Sequence, residues 1–296
     1  MPEPGRYTSD EVAERAGIPL EQAKRLWRAL GFPETGDEAA FDDADVAALR
    51  SIGELLSEGL VDFDLAVNLT RGLGLSMARL ADWQVSALVQ HPESTIATAA
   101  DLAEPFEKML VYVWQRHTRA AVARAEAAMA GEQGHGSELT IGFADIVSFT
   151  ALSNTLTEDK IGDLVEIFES RCADVVAVQR GRVIKSLGDS VLFVNDDPIR
   201  GYDTAEGIIN VIGRDARMPD VRVGLATGSV VTRLGDVFGP PVNMAARLTA
   251  VARRNRIIVD EATAGLLPAD QFEARRLPAR PVRGFGIVEP VAVRRT

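Results

Sequence analysis

Two aspartates of the sequence stand where short apolar runs end. Asp145 closes the run that begins at Leu139, and Asp189 follows Gly188 between two further runs. Hard divalent cations prefer carboxylate oxygens, and phosphoryl transfer commonly uses two such ions a few Å apart. If the first run is a strand beside the strands around Asp189, the two carboxylates converge. Each aspartate alone is also typical of an ordinary turn, so the metal-site prediction depends on the pair and its flanking residues.

A second set of polar residues has helical spacing. Asn243 and Arg247 are four residues apart, so one face of a helix would present both side chains. This spacing suits a shared target. The alternative interpretation of Arg247 is a solvated helix arginine.

The elements that carry these residues alternate strands with helices. The pattern predicts strands at 139–146, 182–187, 190–195, 221–227, 230–234 and 257–259, and helices at 160–178, 199–212 and 242–252. Gly188-Asp189 predicts one hairpin turn and Gly228-Ser229 a second. This order indicates an α+β sandwich with one mostly antiparallel sheet.

The first 130 residues have an all-helical pattern. Two short helices are expected between residues 8 and 31, with Ser9 as the first N-cap and a turn at 17–19, and further helices from 43 onward, at 63–89 and at 103–129. The first two form a helix-turn-helix pattern within residues 7–60. We therefore expect a helical domain at 1–130, a Gly-rich linker at 131–137 and a second domain at 138–296.

Three blocks of residues 137–296 resemble the catalytic domain of class III adenylate and guanylate cyclases. They are FADIVSFT at 143–150, KSLGD at 185–189 and DVFGPPVNMAAR at 236–247. Any one block could arise by chance, whereas three in this order strongly favour the family. The resemblance implies a ferredoxin-like α+β cyclase fold and the conversion of ATP to 3′,5′-cyclic AMP and diphosphate.

The first two blocks supply the metal and phosphate residues that the resemblance implies. Asp145 and Asp189 would hold two Mg²⁺ or Mn²⁺ ions per active site, which activate the ribose 3′-hydroxyl and bind the triphosphate. The backbone at Ile146 would lie near the metal ions, and the turn at Phe149 and Thr150 near the phosphates.

The same resemblance assigns the substrate residues. Lys185 and Asp236 correspond to the pair that recognises the adenine edge in adenylate cyclases, where guanylate cyclases usually carry a glutamate and a small or thiol residue. Asn243 and Arg247 correspond to residues that orient the ribose and stabilise charge on the α-phosphate. Arg283 stands where the family has a lysine on the terminal phosphates, and arginine keeps the charge with a fork of donors.

In this family the metal aspartates come from one subunit, and the base-recognition and transition-state residues come from its partner. The chain carries both sets, so the resemblance implies a symmetric homodimer with two equivalent sites and an inactive monomer. A helical element that shifts the two catalytic domains would assemble or separate both sites. We expect this regulatory role for the helical domain at 1–130.

Residues 7–60 also resemble the winged helix-turn-helix of MerR-type regulators and regulatory domains that precede some actinobacterial cyclases. The net charge of the chain is −11, and residues 1–135 contribute −10 of it, with 12 Lys and Arg against 22 Asp and Glu. Such an acidic module argues against DNA binding. We expect a former DNA-binding fold reused for dimerisation or for sensing an unidentified ligand. The alternatives are a MerR-like transcriptional regulator and a catalytically degenerate nucleotide-binding module.

The composition indicates a folded protein of the cytoplasm. The longest compact apolar stretch, residues 109–114, is far shorter than the roughly 20 residues that cross a bilayer, and the N-terminus opens with Glu3 and Arg6 instead of a hydrophobic leader. The single cysteine, Cys172, cannot form an internal disulfide, and its helical surroundings predict a buried, inert thiol.

Overall fold

The structure, a computed structural model, describes residues 5–89, 96–130, 138–233 and 235–296, without the side chains of residues 96–101, 128 and 130. The predicted linker at 131–137 lies outside the described residues. Contacts between Cα atoms divide the chain into two units, Met1–Glu126 and Ala127–Thr296.

Helices dominate the described part of the first unit. They are α1 (Ser9–Ala16), α2 (Leu20–Leu30), α3 (Asp43–Ser57), α4 (Phe63–Val89) and α5 (Ile96–Ala130). The predicted helix at 63–89 is confirmed. The prediction of α5 was too short at its N-terminal end, because Pro105 lies inside the helix and weakens the helical pattern there.

The prediction that Ser9 caps the first helix was wrong. Thr8 is the N-cap, because its backbone is extended while Ser9 already has helical geometry. The Thr8 side chain accepts a hydrogen bond from the Glu11 amide, and the Glu11 carboxylate accepts one from the Thr8 amide. This reciprocal capping box satisfies two amide groups that the first turn leaves without acceptors.

A small apolar core holds α1, α2 and α3 together. Val12 and Leu26 are fully buried in it, and the Trp27 ring stacks on Phe41 with 4.5 Å between ring centroids. Gly74 lets α4 approach α2 closely, since a Cβ atom there would lie 2.4 Å from the Leu30 carbonyl oxygen.

Helix α5 carries an apolar belt at residues 109–114 that the chain leaves exposed. Met109 is 59% and Trp114 is 62% exposed, and the four residues between them are each at least 36% exposed. Six consecutive apolar residues surround the helix on every side, which is typical of a helix that is covered by other protein.

The second unit contains most of the strands. They are β1 (Glu138–Ile146), β2 (Arg182–Ser186), β3 (Ser190–Asn195), β4 (Val221–Ser229), β5 (Val231–Arg233), β6 (Asp236–Phe238), β7 (Ile257–Val259), β8 (Phe272–Arg276), β9 (Arg280–Val282), β10 (Gly286–Val288) and β11 (Val291–Arg295). Seven of them form one sheet in the order β2-β3-β1-β4-β7-β11-β8. Only the β4–β7 pair in this sheet is parallel, which confirms the mostly antiparallel prediction for the described residues.

Helices cover both faces of this sheet. They are α6 (Phe149–Ser153), α7 (Glu158–Val178), α8 (Pro198–Gly213), α9 (Pro240–Val251) and α10 (Glu261–Leu266). Phe168 of α7 and Ile208 of α8 are buried in the core on one face, and Ala245 of α9 is buried on the other. Cys172 of α7 is fully buried, which confirms the predicted burial. Burial and the nearby Glu169 charge raise the pKa of its thiol.

The predicted hairpin around Gly228-Ser229 was wrong. β4 continues through both residues because Leu139 and Glu138 of β1 pair with them, so there is no turn at that point. β5 pairs instead with β6, in a separate two-stranded sheet that turns at Gly235 (φ 77°). The sequence pattern also missed the strands β8–β11, which are short and largely exposed.

Across the described ranges 5–89, 96–130, 138–233 and 235–296, we found no helix with both the length and the apolar character needed to cross a membrane.

Candidate active site

The strand register brings Asp145 and Asp189 together. β1 and β3 are antiparallel neighbours with Asp145 opposite Ser190, and the Ile146 amide donates a hydrogen bond to the Asp189 carbonyl oxygen at 2.9 Å. Gly188 supplies the left-handed conformation (φ 71°) that the β2–β3 turn needs. The two aspartates predicted as metal ligands therefore lie at one end of the sheet.

Asp145 is held by an arginine on the neighbouring strand. Arg222 of β4 lies opposite Asp145 in the register, and its Nε and Nη2 atoms lie 2.7 and 2.6 Å from Oδ2 of Asp145. Burial is the largest influence on the pKa of the Asp145 carboxyl and raises it. The hydrogen bond and charge of Arg222 lower this pKa, and the Asp189 charge raises it further. The net pKa of Asp145 is raised, chiefly because the carboxyl group is partly buried.

These carboxylates suit a divalent cation. Within the described residues no group of three or more His, Cys, Asp or Glu side chains could hold a metal ion. The donor set that remains is Asp145, Asp189 and backbone oxygen, all of them hard ligands. A site with so few protein ligands is typical of magnesium ions that share their coordination with water and substrate phosphates.

The segment from Ile146 to Thr150 ends β1 and begins α6. The Ile146 side chain is buried in the core, and the partly buried Phe149 side chain packs against the same core. Ser148 has φ 59°, a left-handed conformation that is uncommon outside glycine, and α6 starts immediately after it with Phe149 and the exposed Thr150. Such strained residues cluster at functional sites.

Lys185 and Asp236 meet although 51 positions separate them. The Nζ atom of Lys185 lies 2.5 Å from Oδ2 of Asp236, and Oδ1 of Asp236 accepts the Val237 amide. Partial burial works to raise the pKa of Asp236, but these hydrogen bonds and the Lys185 charge outweigh it and hold that pKa below its ordinary value. The pair therefore presents a charged donor and a charged acceptor side by side.

Asn243, Arg247 and Arg283 line a single open cleft with a volume of about 460 Å³. Asn243 and Arg247 lie on the exposed face of α9, and Arg283 lies in the turn between β9 and β10. The other residues that line the cleft are Gly239, Pro240, Gly284 and Phe285. Two arginines without an acidic neighbour in the lining make this cleft suitable for phosphate groups.

Neither Asp145 nor Asp189 is among the described residues that line this cleft. The candidate site residues therefore fall into separate clusters on one chain. The carboxylates lie at a strand end, and the amide and guanidinium groups lie in the cleft of α9.

The comparison with known families decides the class of this protein. The family described as adenylate and guanylate cyclase catalytic domain matches residues 132–293, more than half of the chain. The chain belongs to this family. The prediction of a class III cyclase catalytic domain is thereby confirmed.

Alignments of this cyclase to its relatives extend over its helical unit as well. An adenylate cyclase of Streptomyces coelicolor is 36% identical over an alignment that covers 96% of this chain and 85% of the relative. An adenylate cyclase of Glutamicibacter nicotianae is 35% identical, with coverage of 95% and 76%. The cyclase domain thus occurs together with the same kind of N-terminal sequence in these enzymes, and the prediction of an enzyme is confirmed.

The fold of this cyclase also has solved counterparts. The crystal structure of the catalytic core of a rhodopsin-guanylyl cyclase with converted specificity, in complex with ATPαS, superimposes with a TM-score of 0.51 at 21% identity. It covers 55% of this chain and 98% of that one. At this identity the likeness establishes the fold of the catalytic unit and nothing about its substrate.

Sequence reasoning missed Arg222 in this cyclase. The residue lies between Val221 and Val223, and in an alternating strand such a position is usually solvated. Here α9 covers that face of the sheet, so Arg222 points to Asp145 and to the end of α9. No local pattern indicates this, because the covering helix begins 18 residues later.

Proposed function

We propose that this cyclase converts ATP to 3′,5′-cyclic AMP and diphosphate as a homodimer whose helical unit regulates it. The main support is the convergence of Asp145 and Asp189 at adjacent strand ends, where two hard oxygen donors share one site. In the reaction, the ribose 3′-oxygen bonds to the α-phosphorus as the bond to the leaving diphosphate breaks, and the hydroxyl proton passes to water.

Asp145, Asp189 and the Ile146 backbone would hold two Mg²⁺ or Mn²⁺ ions. When bound, such ions supply Lewis-acid stabilisation of the phosphate oxygens and ease deprotonation of the 3′-hydroxyl. The backbone of Phe149 and Thr150, which directly follows this site, would lie beside the phosphates.

Lys185 and Asp236 would select the base. The Watson–Crick edge of adenine offers an acceptor at N1 and a donor at its amino group, which match the lysine donor and the carboxylate acceptor. Guanine offers the reverse arrangement along that edge. The short Lys185–Asp236 contact supports ATP as the substrate because it places the matching donor and acceptor next to each other.

Residues of the α9 cleft would act on the sugar and the phosphates. Asn243 would hold the ribose, Arg247 would stabilise negative charge that grows at the α-phosphate, and Arg283 would bind the terminal phosphates. The absence of acidic residues from the described lining of this cleft supports these roles.

A homodimer would unite the two clusters. The carboxylates of one chain would face the cleft of its partner, so each dimer would contain two equivalent sites. The exposed apolar belt of α5 supports self-association, since exposed apolar patches mark protein interfaces. We place the second copy of the chain on this belt, which its binding would bury.

The helical unit is part of the proposed enzyme and not a DNA-binding regulator. Alignments to the adenylate cyclases of Streptomyces coelicolor and Glutamicibacter nicotianae extend through it, which favours a role in cyclase regulation. Its acidic charge also disfavours a DNA duplex. The signal that it senses would be a ligand or a change of dimer geometry. We place the enzyme in the cytoplasm, where a free buried thiol such as Cys172 is common.

The direct test is cyclic AMP production by the full chain from ATP with Mn²⁺ or Mg²⁺, with GTP as the competing substrate. We expect ATP to be cyclised and Asp145→Ala to abolish the activity. Asp174→Ala, an exposed aspartate of α7, is the matched control and should leave the activity unchanged. A folded chain that binds ATP without turnover would point to the degenerate nucleotide-binding module instead.

Mixed dimers test the sharing of sites. Asp189→Ala and Arg247→Ala should each be inactive alone, while a heterodimer of the two contains one intact site. Random mixing yields half heterodimers, so activity should return to about a quarter of the wild-type value. If no activity returns, each site is built from a single chain.

A further inference from the structure

Arg222 bridges two parts of the catalytic unit with one guanidinium group. Its Nε and Nη2 atoms contact Oδ2 of Asp145, while Nη1 donates to the Ala250 carbonyl oxygen at 3.1 Å. Ala250 lies in the last turn of α9, the helix that carries Asn243 and Arg247. The negative end of a helix dipole favours a cation at this position.

The bridge lies in a shielded environment. The Asp145 side chain is 17% exposed and the Arg222 side chain 29% exposed, so solvent screens their attraction only in part. Both donors engage the same carboxylate oxygen, Oδ2, and no other described residue donates a hydrogen bond to Oδ1 of Asp145. Arg222 thereby fixes the side-chain orientation of Asp145 while one oxygen remains for another partner.

The far end of the bridge is equally well anchored. The Thr249 hydroxyl group of α9 lies 2.8 Å from the Ala245 carbonyl oxygen of its own helix and 3.2 Å from the Phe143 carbonyl oxygen of β1, and it can donate its one proton to either acceptor. Gly224 of β4 has no side chain where α9 crosses it, and a Cβ atom there would lie 2.4 Å from the Thr249 amide nitrogen. The last turn of α9 is therefore seated directly on the two strands that carry Asp145 and Arg222.

We propose that Arg222 is a positioning residue for Asp145 and, through Ala250, couples the two active sites of the homodimer. The inference rests on the proposed function, in which Asp145 serves one site and α9 of the same chain serves the other. Displacement of Asp145 at the first site would then be transmitted to the helix that presents Asn243 and Arg247 at the second.

Metal binding without turnover tests the positioning role. In Arg222→Met the apolar side chain keeps much of the volume but removes a positive charge next to the carboxylates, so Mn²⁺ bound to the nucleotide-free protein should be held roughly tenfold more tightly. At the same time kcat should fall, because Asp145 loses its fixed orientation. Electron paramagnetic resonance of free Mn²⁺ measures the binding, and it does not depend on cyclase activity.

Two further variants exclude a general structural effect. Arg254→Met removes the charge of an exposed arginine that pairs with Asp220, and it should change neither Mn²⁺ affinity nor kcat. Arg222→Lys keeps the charge but cannot serve Asp145 and Ala250 together, so Mn²⁺ affinity should stay near wild type while kcat falls. If Arg222→Met keeps the wild-type kcat in a folded protein, the positioning role is wrong.

The mixed dimer of Asp189→Ala and Arg247→Ala tests the coupling. Its single intact site takes Asp145 from the Arg247→Ala chain and α9 from the Asp189→Ala chain. Arg222→Met in the Arg247→Ala chain, which supplies Asp145, should lower the kcat of that site. Arg222→Met in the Asp189→Ala chain, which supplies α9 and is the second case, should lower it as well. An unchanged kcat in the second case would overturn the coupling. Failure of the proposed function would appear separately, as wild-type protein that binds Mn²⁺ without making cyclic AMP.

Discussion

The Nζ atom of Lys185 lies 2.5 Å from Oδ2 of Asp236, and this contact joins β2 of the seven-stranded sheet to β6 of the two-stranded β5–β6 sheet. Both side chains are partly exposed, at 36% and 28%, so a base could reach them. An ion pair at this exposure contributes little to stability, since exposed pairs are typically worth 0–1 kcal/mol. Under the proposed function, the value of the pair to the protein lies in recognition of the base.

The first prediction concerns the choice of base. In the double variant Lys185→Glu with Asp236→Cys, kcat/KM for ATP should fall by about 100-fold, since the site loses both partners of adenine. Activity with GTP should rise, because the glutamate can accept from the guanine edge. Steady-state kinetics with both nucleotides measures the change.

The control for this exchange is Lys160→Glu, which repeats its Lys-to-Glu substitution on an exposed lysine of α7. It should preserve the ratio of the two kcat/KM values. An unchanged ATP preference in the double variant would show that other residues select the base.

The second prediction separates the two arginines of the cleft. Arg247→Ala should lower kcat by about 10²–10³-fold with little effect on KM, because its role would be specific to the transition state. Arg283→Ala should mainly raise KM for ATP and weaken inhibition by diphosphate. Initial-rate kinetics resolves the two, and Arg253→Ala, an exposed arginine just after α9, should match wild type. Equal losses of kcat in both variants would contradict the assigned roles.

The third prediction concerns the apolar belt of α5. Trp114→Glu should shift the full chain from dimer toward monomer, because a charge in a desolvated interface is costly. Sedimentation velocity over a range of concentrations measures the shift, and specific activity should fall with the dimer fraction. Gln115→Glu adds the same charge at the next exposed residue of the helix and is the matched control. Unaltered self-association in Trp114→Glu would place the dimer contact elsewhere.

The fourth prediction concerns the pH dependence of stability. Asp215 accepts hydrogen bonds from the Arg217 side chain and amide and contacts Arg171 at 2.6 Å, and these interactions hold the pKa of its carboxyl well below the ordinary value. A lowered pKa in the folded state means that the unfolded state binds more protons as the pH falls. The stabilisation is therefore complete above the ordinary pKa of 3.8 and is lost as the pH drops below it.

Asp215→Asn should accordingly lower Tm at neutral pH, and the difference from wild type should shrink below a pH of about 4. Thermal unfolding followed by circular dichroism at a series of pH values measures it. Asp159→Asn at the exposed start of α7 should show no such pattern. A Tm difference that stays constant down to pH 2.5 would mean that Asp215 contributes through packing and not through its charge.

The sequence by itself determined several of the elements and the candidate chemistry of this protein. Helical periodicity located α4 at its observed bounds, and the apolar runs located β1, β3 and β7. These patterns are local, because one buried face leaves its period in the sequence. The three motif blocks likewise named the family, since the types and spacing of their residues are visible without a fold.

Only the tertiary structure decided how distant residues meet. The pairing of β5 with β6, the bridge from Arg222 to Asp145 and Ala250, and the cleft that unites Arg283 with Asn243 all depend on contacts between residues far apart in sequence. Strand register and helix packing are selected by the burial of the whole core, and no short segment carries that information. The separation of the carboxylates from the cleft of α9 became visible only once the chain was folded.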